Sequence, residues 1–134
     1  MQMKFERKLP TADEIKMQYP LSQKHTEAKK VFDKKVADVF KSESDKFILI
    51  IGPCSADTPD SVMEYMYRLA KVQEQVKDKI VIIPRVYTNK PRTTGAGYKG
   101  MLHQPDPNKE ADMLKGLIAI RSLHIRAIEE TGFT

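Results

Sequence analysis

The sequence lacks the features that mark several large classes of protein. It contains one cysteine and no tryptophan, and a single cysteine excludes an internal framework of disulfide bonds. No apolar run approaches the ~20 residues that a membrane-spanning helix requires, and the start, MQMKFERKLP, has no apolar signal-peptide core. We therefore expect a cytoplasmic location and no membrane partner. Cys54 is left as a buried small hydrophobe, a reactive thiol or a metal ligand.

The excess of positive charge is local. The formal net charge is +5, which by itself would suggest a nucleic-acid partner, but lysines and acidic residues alternate along most of the 134 residues. Such mixing is typical of solvated helix faces. The exception is the segment 85–99, which carries Arg85, Lys90, Arg92 and Lys99 and no acidic residue. This distribution favours a site for a small anion and argues against nucleic acid.

The order of the predicted elements indicates an α/β fold of one domain. They are a short helix-like piece in TADEIKMQ, a helix at 26–40, a strand at 47–52, a helix from Thr58 to about Lys77, a strand at 79–87 and a helix at about 111–130, closed by Gly132. The run FILIIG is typical of a parallel strand buried on both faces. Pro84 cannot donate to a ladder, so the second strand should bulge or end there.

Two unusual loops follow the two predicted strands, at 52–58 and 88–100. Strands joined by helical crossovers run parallel, and ligands of α/β folds collect at the carboxyl ends of the strands. We therefore expect both loops to lie side by side on one rim. Arginine can grip a phosphate with two hydrogen bonds, and glycines permit close backbone approach. From spacing alone, a phosphate-binding loop and an ordinary solvated loop both stay open.

Three short motifs lie on these loops and at the end of the second predicted strand, in the order of a known family. They are Gly52-Pro53-Cys54-Ser55, Arg85-Val86-Tyr87 and Lys90-Pro91-Arg92-Thr93-Thr94. Over about residues 9–134 the sequence resembles the type I 3-deoxy-D-arabino-heptulosonate 7-phosphate (DAHP) synthases. The resemblance implies a (β/α)8 TIM barrel, which takes ~250 residues. It also implies a metal-dependent, aldol-type condensation of phosphoenolpyruvate with erythrose 4-phosphate, the first step of the shikimate pathway to the aromatic amino acids.

The resemblance also implies roles for seven residues. Cys54 would be a ligand of a divalent metal (Mn, Fe or Zn), Arg85 and Lys90 would bind phosphoenolpyruvate, and Arg92 and Thr93 would hold erythrose 4-phosphate, with Pro91 shaping the backbone and Lys99 as a further substrate contact. Lys99 matches less closely, because GAGY is one residue longer than the V-G-W of some members.

The chain divides, on the same resemblance, into an N-terminal extension (1–46) and the first two β/α units of the barrel (47–134). The extension would support a homo-oligomer and inhibition by an aromatic amino acid, or would only pack across the bottom of the barrel. The remaining metal ligands would come from later strands, so we expect this chain alone to be inactive. The alternative is a catalytically incomplete fragment that binds phosphate or assembles with a partner chain.

Several other residues have simpler interpretations. We predict a turn or helix-capping role for Asp57, a core or subunit contact for His124, and a plain loop position for His103. The methionines at 63, 66, 101 and 113 are predicted to fill the core.

Overall fold

The computed structural model describes residues 7–90, 92 and 94–134. The elements are α1 (Ala12–Gln18), α2 (Gln23–Phe40), β1 (Phe47–Ile51), α3 (Pro59–Val76), β2 (Ile80–Pro84) and α4 (Met113–Thr131). Their order confirms the predicted alternation of helices and strands. No helix of these described segments is long and apolar enough to cross a membrane.

The two strands pair in parallel, as predicted. The register runs from Phe47 opposite Ile80 to Ile51 opposite Pro84. β2 ends at Pro84, one of the two outcomes predicted for this residue. The register therefore brings the segment after Ile51 and the segment after Pro84 to the same edge of the sheet.

The helix ends follow local signals in the sequence. Thr58 caps α3 by accepting a hydrogen bond from the backbone N–H of Ser61 at 3.4 Å, and Pro59 takes the first helical position. Gly132 ends α4 with a left-handed backbone (φ 74°), a conformation that costs other residues energy. These signals fix where α3 leaves the rim loop and where α4 stops.

The core lies between the sheet, α3 and α4. Its largest fully buried side chains are those of Met63, Met66, Ile82, Met101, Leu123 and Val62. Each such side chain stabilises the fold by about 1.5–3 kcal/mol relative to leaving it exposed. The prediction of core methionines is confirmed at positions 63, 66 and 101.

Two core predictions on α4 are wrong. Met113 is 39% exposed, because it is the first residue of α4 and the buried residues of that helix begin at Gly116. His124 is exposed, so its prediction as a core residue is wrong, whereas the alternative of a subunit contact stays a prediction. The buried residues of α4 are Gly116, Leu123 and Ala127, so the side of the helix that carries Leu123 faces the core.

The expectation that β1 is buried on both faces is also wrong. Phe47 is 75% exposed and Ile50 is 64% exposed, whereas β2 buries Val81 and Ile82. The reason is that, among the described residues, the buried core cluster includes Ile82 of β2 but none of the β1 residues, and α2, which contacts β1, buries none of its own residues. Within a two-stranded sheet of the described residues, β1 also has an open edge. An apolar strand with an open edge is a surface that favours pairing with another strand.

Candidate active site

The two rim loops are tied to each other by their backbones. The N–H of Arg85 donates to the carbonyl of Ile51 at 2.8 Å, and the N–H of Ala56 donates to the carbonyl of Tyr87 at 2.9 Å. Between these bonds, a Cβ on Gly52 would lie 1.9 Å from the carbonyl oxygen of Arg85. Only glycine allows this approach, so the residue brings the loop after β1 directly against the end of β2.

Cys54 and Lys90 meet at this rim. The ammonium Nζ of Lys90 lies 3.0 Å from the Sγ of Cys54, within hydrogen-bond distance, and the thiol is exposed. The hydrogen bond from Lys90 lowers the pKa of Cys54 below that of an ordinary thiol. The charge of Lys90 adds to the effect, with smaller contributions from Arg85 and Arg92. The thiolate, the form that binds metals, is therefore favoured here.

Arg85 is held beside Cys54 by three contacts. Its Nη2 donates to the carbonyls of Pro53 at 2.8 Å and of Gly52 at 3.4 Å, and the guanidinium lies over the ring of Tyr87, 5.0 Å from the ring centroid. Among the described residues both hydrogen bonds of the guanidinium come from Nη2, which leaves Nε and Nη1 for an anion. The group is thus oriented at the rim with donors to spare.

Arg92 and Lys99 belong to the same loop and are exposed. The Nε of Arg92 donates to the carbonyl of Tyr98 at 3.1 Å, and the backbone N–H of Lys90 donates to the carbonyl of Lys99 at 2.8 Å. The structure therefore brings five of the seven predicted residues into one region. The other two, Pro91 and Thr93, lie outside the described residues.

Tyr98 joins the two loops through a contact that the sequence did not indicate. Its hydroxyl lies 3.4 Å from the carbonyls of Ala56 and Asp57, so the ring reaches from the loop after β2 to the loop after β1. No periodicity marks this residue, because its partners are backbone atoms 41 and 42 residues earlier.

Asp57 has the turn and capping role that was predicted. One of its carboxylate oxygens accepts hydrogen bonds from the hydroxyl of Ser61 at 2.9 Å and from the backbone N–H of Thr58 at 2.8 Å. These bonds, that from Ser61 first, lower the pKa of the Asp57 carboxyl. The carboxylate of Asp57 therefore accepts hydrogen bonds from residues at the start of α3.

The rim fits an anion better than it fits a complete metal site. Within residues 7–90, 92 and 94–134 no group of three or more His, Cys, Asp or Glu side chains could hold a metal ion. The exposed thiol of Cys54, with its lowered pKa, fits one position in a coordination sphere. The described residues thus offer one metal ligand beside several cationic groups.

The rim is open, and a well-formed cavity lies at the other end of the sheet. That cavity measures about 500 Å³ and includes Lys46, Ile80 and Val81, residues at the amino ends of the strands, in its lining. Cys54, Arg85 and Lys90 follow the carboxyl ends. In α/β folds ligands bind at the carboxyl ends of the strands, the end at which Cys54, Arg85 and Lys90 lie.

The family model and the similar proteins all point to one enzyme family. Residues 18–128 match the DAHP synthetase I family. The chain is 34% identical over 122 residues to the phenylalanine-inhibited phospho-2-dehydro-3-deoxyheptonate aldolase of Saccharomyces cerevisiae, covering 91% of this chain and 33% of that protein. It is 29% identical over 123 residues to the Tyr-sensitive enzyme of that name from Escherichia coli, covering 92% and 34%.

A solved structure shows the same arrangement of elements. The phospho-2-dehydro-3-deoxyheptonate aldolase of Francisella tularensis superposes with a TM-score of 0.84 at 30% sequence identity, over 94% of this chain and 37% of that one. The chain therefore spans about a third of the length of the relatives it matches.

Proposed function

Because the chain belongs to the DAHP synthetase I family, we propose that it forms the anion-binding part of a DAHP synthase active site. The reaction joins phosphoenolpyruvate to erythrose 4-phosphate and yields DAHP and inorganic phosphate. The observation that supports this most directly is the contact between Lys90 and Cys54 at 3.0 Å, with Arg85 anchored to the neighbouring Pro53. These contacts support a single site built from residues of the three motifs.

The cationic groups bind and orient two substrates that repel each other. Arg85 and Lys90 bind the phosphate and carboxylate of phosphoenolpyruvate, while Arg92, together with Pro91, Thr93 and Lys99, holds erythrose 4-phosphate. Bound in this way, C3 of phosphoenolpyruvate attacks the aldehyde carbon and forms the new carbon–carbon bond. Water adds to C2, and phosphate leaves with cleavage of its C–O bond. Positioning of this kind accounts for a large share of enzymatic rate acceleration.

Cys54 holds a divalent metal in this proposal. A bound Mn, Fe or Zn ion would polarise the aldehyde of erythrose 4-phosphate as a Lewis acid. The lowered pKa of the thiol supports this role, since metals bind the thiolate. Lys90 lies against the same sulfur, so the residue that binds the anion also keeps the ligand in its reactive form.

The wider architecture follows from the family. We propose that residues 47–134 are the first two units of a (β/α)8 barrel and that residues 1–46 are an extension with an oligomeric or regulatory role. Relatives are named as phenylalanine-inhibited, from Saccharomyces cerevisiae, and tyrosine-inhibited, from Candida albicans. These names support an aromatic amino acid as effector. A homo-oligomer as the working form is a further part of the proposal and follows from the family resemblance.

The alternative is a fragment that binds phosphate or assembles with a partner chain and does not itself catalyse. One observation favours it: the described residues supply a single metal ligand at the rim. Neither function predicts turnover by this chain alone, so they differ in what happens when the rest of the barrel is supplied. Release of phosphate from phosphoenolpyruvate that depends on added erythrose 4-phosphate, in a protein that includes the rest of the barrel, would contradict the fragment.

Calorimetric titration with phosphoenolpyruvate tests the shared anion site. We expect Lys90→Met to weaken binding by at least ~10-fold, since a hydrogen bond to a charged group contributes about 1.5–3 kcal/mol. Lys71→Met is the matched control, because Lys71 is an exposed lysine on α3, away from the rim. Equal affinities of the two variants would remove Lys90 from the site.

A further inference from the structure

The segment that carries Lys90 is closed into a compact loop by its own backbone. The N–H of Leu102 donates to the carbonyl of Thr88 at 2.9 Å, next to the bond from the Lys90 N–H to the Lys99 carbonyl. Gly100 allows this closure: its φ is 99°, and a Cβ there would lie 2.4 Å from the carbonyl oxygen of Thr88. The backbone of Lys90 and that of Thr88, two residues before it, are thus held against residues 99–102.

The side chain of His103 forms a further contact that closes the loop. The Nε2 of His103 lies 3.1 Å from the side-chain amide oxygen of Asn89, the residue before Lys90. A neutral imidazole can donate to the amide oxygen, or accept from the amide nitrogen if the amide is turned over, so the bond persists with either assignment. His103 is half-buried, which limits competition from water.

His103 is itself fixed to a rigid element. Its backbone carbonyl accepts a hydrogen bond from the N–H of Asp112 at 2.9 Å, and the carboxylate of Asp112 caps α4 through the N–H of Lys115 at 3.1 Å. Asp112 also forms an ion pair with Arg7. The imidazole therefore connects the segment that bears Lys90 to the start of a 19-residue helix.

We propose that His103 is a positioning residue, which orients Lys90 toward the anion through its hydrogen bond to Asn89. The inference rests on the proposed function, in which Lys90 binds phosphoenolpyruvate. Lysine has a flexible four-carbon side chain. The position of its ammonium group relative to the anion therefore depends on how firmly the backbone of the residue is held. Displacements of about 1 Å in a binding group can cost up to 100-fold in rate.

The test is calorimetric titration of the full chain with phosphoenolpyruvate in a set of variants. We expect His103→Ala and Asn89→Ala each to weaken binding by about 3- to 10-fold, the factor that corresponds to one neutral hydrogen bond. His103→Gln places an amide nitrogen near the position of Nε2 and should restore affinity to within about 2-fold of the unmodified chain. The double variant should be no weaker than either single one, because both remove the same bond.

The outcomes separate this inference from the proposed function. If Lys90→Met weakens binding but His103→Ala and Asn89→Ala do not, the positioning role is wrong and the anion site stands. If the losses of the single variants multiply in the double variant, the two residues act separately and the inference is also wrong. If the unmodified chain does not bind phosphoenolpyruvate, the proposed function fails first. Asn89 is exposed, so Asn89→Ala keeps the test valid even if His103→Ala fails to fold.

Discussion

Replacement of Gly116 by alanine sets two known effects against each other. Gly116 lies in the first turns of α4, where glycine costs about 0.5–1 kcal/mol relative to alanine, so propensity alone predicts a more stable protein. The packing predicts the reverse. A Cβ at this position would lie 1.9 Å from the carbonyl oxygen of Leu102 and 2.8 Å from that of Met101.

The packing effect is the larger of the two. An ordinary contact needs about 3.4 Å, so α4 and the loop would have to separate by roughly 1.5 Å, and both atoms in the way belong to the backbone. Forcing an extra methyl group into a packed site costs about 1–3 kcal/mol, occasionally more. We therefore expect Gly116→Ala to lower the free energy of unfolding by about 1–2 kcal/mol after the gain in propensity.

Urea unfolding followed by far-ultraviolet circular dichroism measures this difference. The control is Ser122→Ala, an exposed position of the same helix, where only propensity acts and a gain of a few tenths of a kcal/mol is expected. If Gly116→Ala stabilises the chain as Ser122→Ala does, α4 and the loop at 101–102 are not packed as described, and the reasoning is refuted.

Two further predictions concern the rim. Since Lys90 lowers the pKa of Cys54, the rate of alkylation by iodoacetamide should rise at a lower pH than for a free thiol. In Lys90→Met the rise should move to higher pH, and an unchanged profile would show that the contact is absent. Thr58→Ala should lower the free energy of unfolding by about 1 kcal/mol, because it removes the cap of α3. Thr26→Ala in the exposed part of α2 should change it by less than about 0.5 kcal/mol in the same urea titration, and equal losses would contradict the capping role.

Local signals in the sequence were sufficient to predict most of the helices and strands and where they end. The cap at Thr58 and the glycine at 132 mark helix ends through backbone chemistry that depends only on neighbouring residues. Pro84 marked the end of β2, as the rarity of proline within strands predicts. The meeting of Cys54 with Lys90 was also predictable, because parallel strands bring their following loops to one edge.

The sequence did not predict features that depend on which surfaces are covered. An apolar run such as FILII looks the same whether a neighbouring strand covers it or not, so the exposure of Phe47 and Ile50 could not be read from it. The core position predicted for His124 was wrong because apolar residues lie on several sides of α4, so the pattern did not distinguish the side of Leu123 from the side of His124. The bond between His103 and Asn89 joins two loop residues, and no periodic pattern identifies such a pair.

The one-sided pairing of β1 has a consequence for solvent exchange. Along a strand, successive N–H groups point to alternate sides, so only every second amide of β1 is directed at β2. The others face the open edge and should exchange their hydrogen for deuterium quickly, while their bonded neighbours are protected. Those fast-exchanging amides are the groups to which an adjoining strand would hydrogen-bond. If such a strand binds, their exchange should become slower.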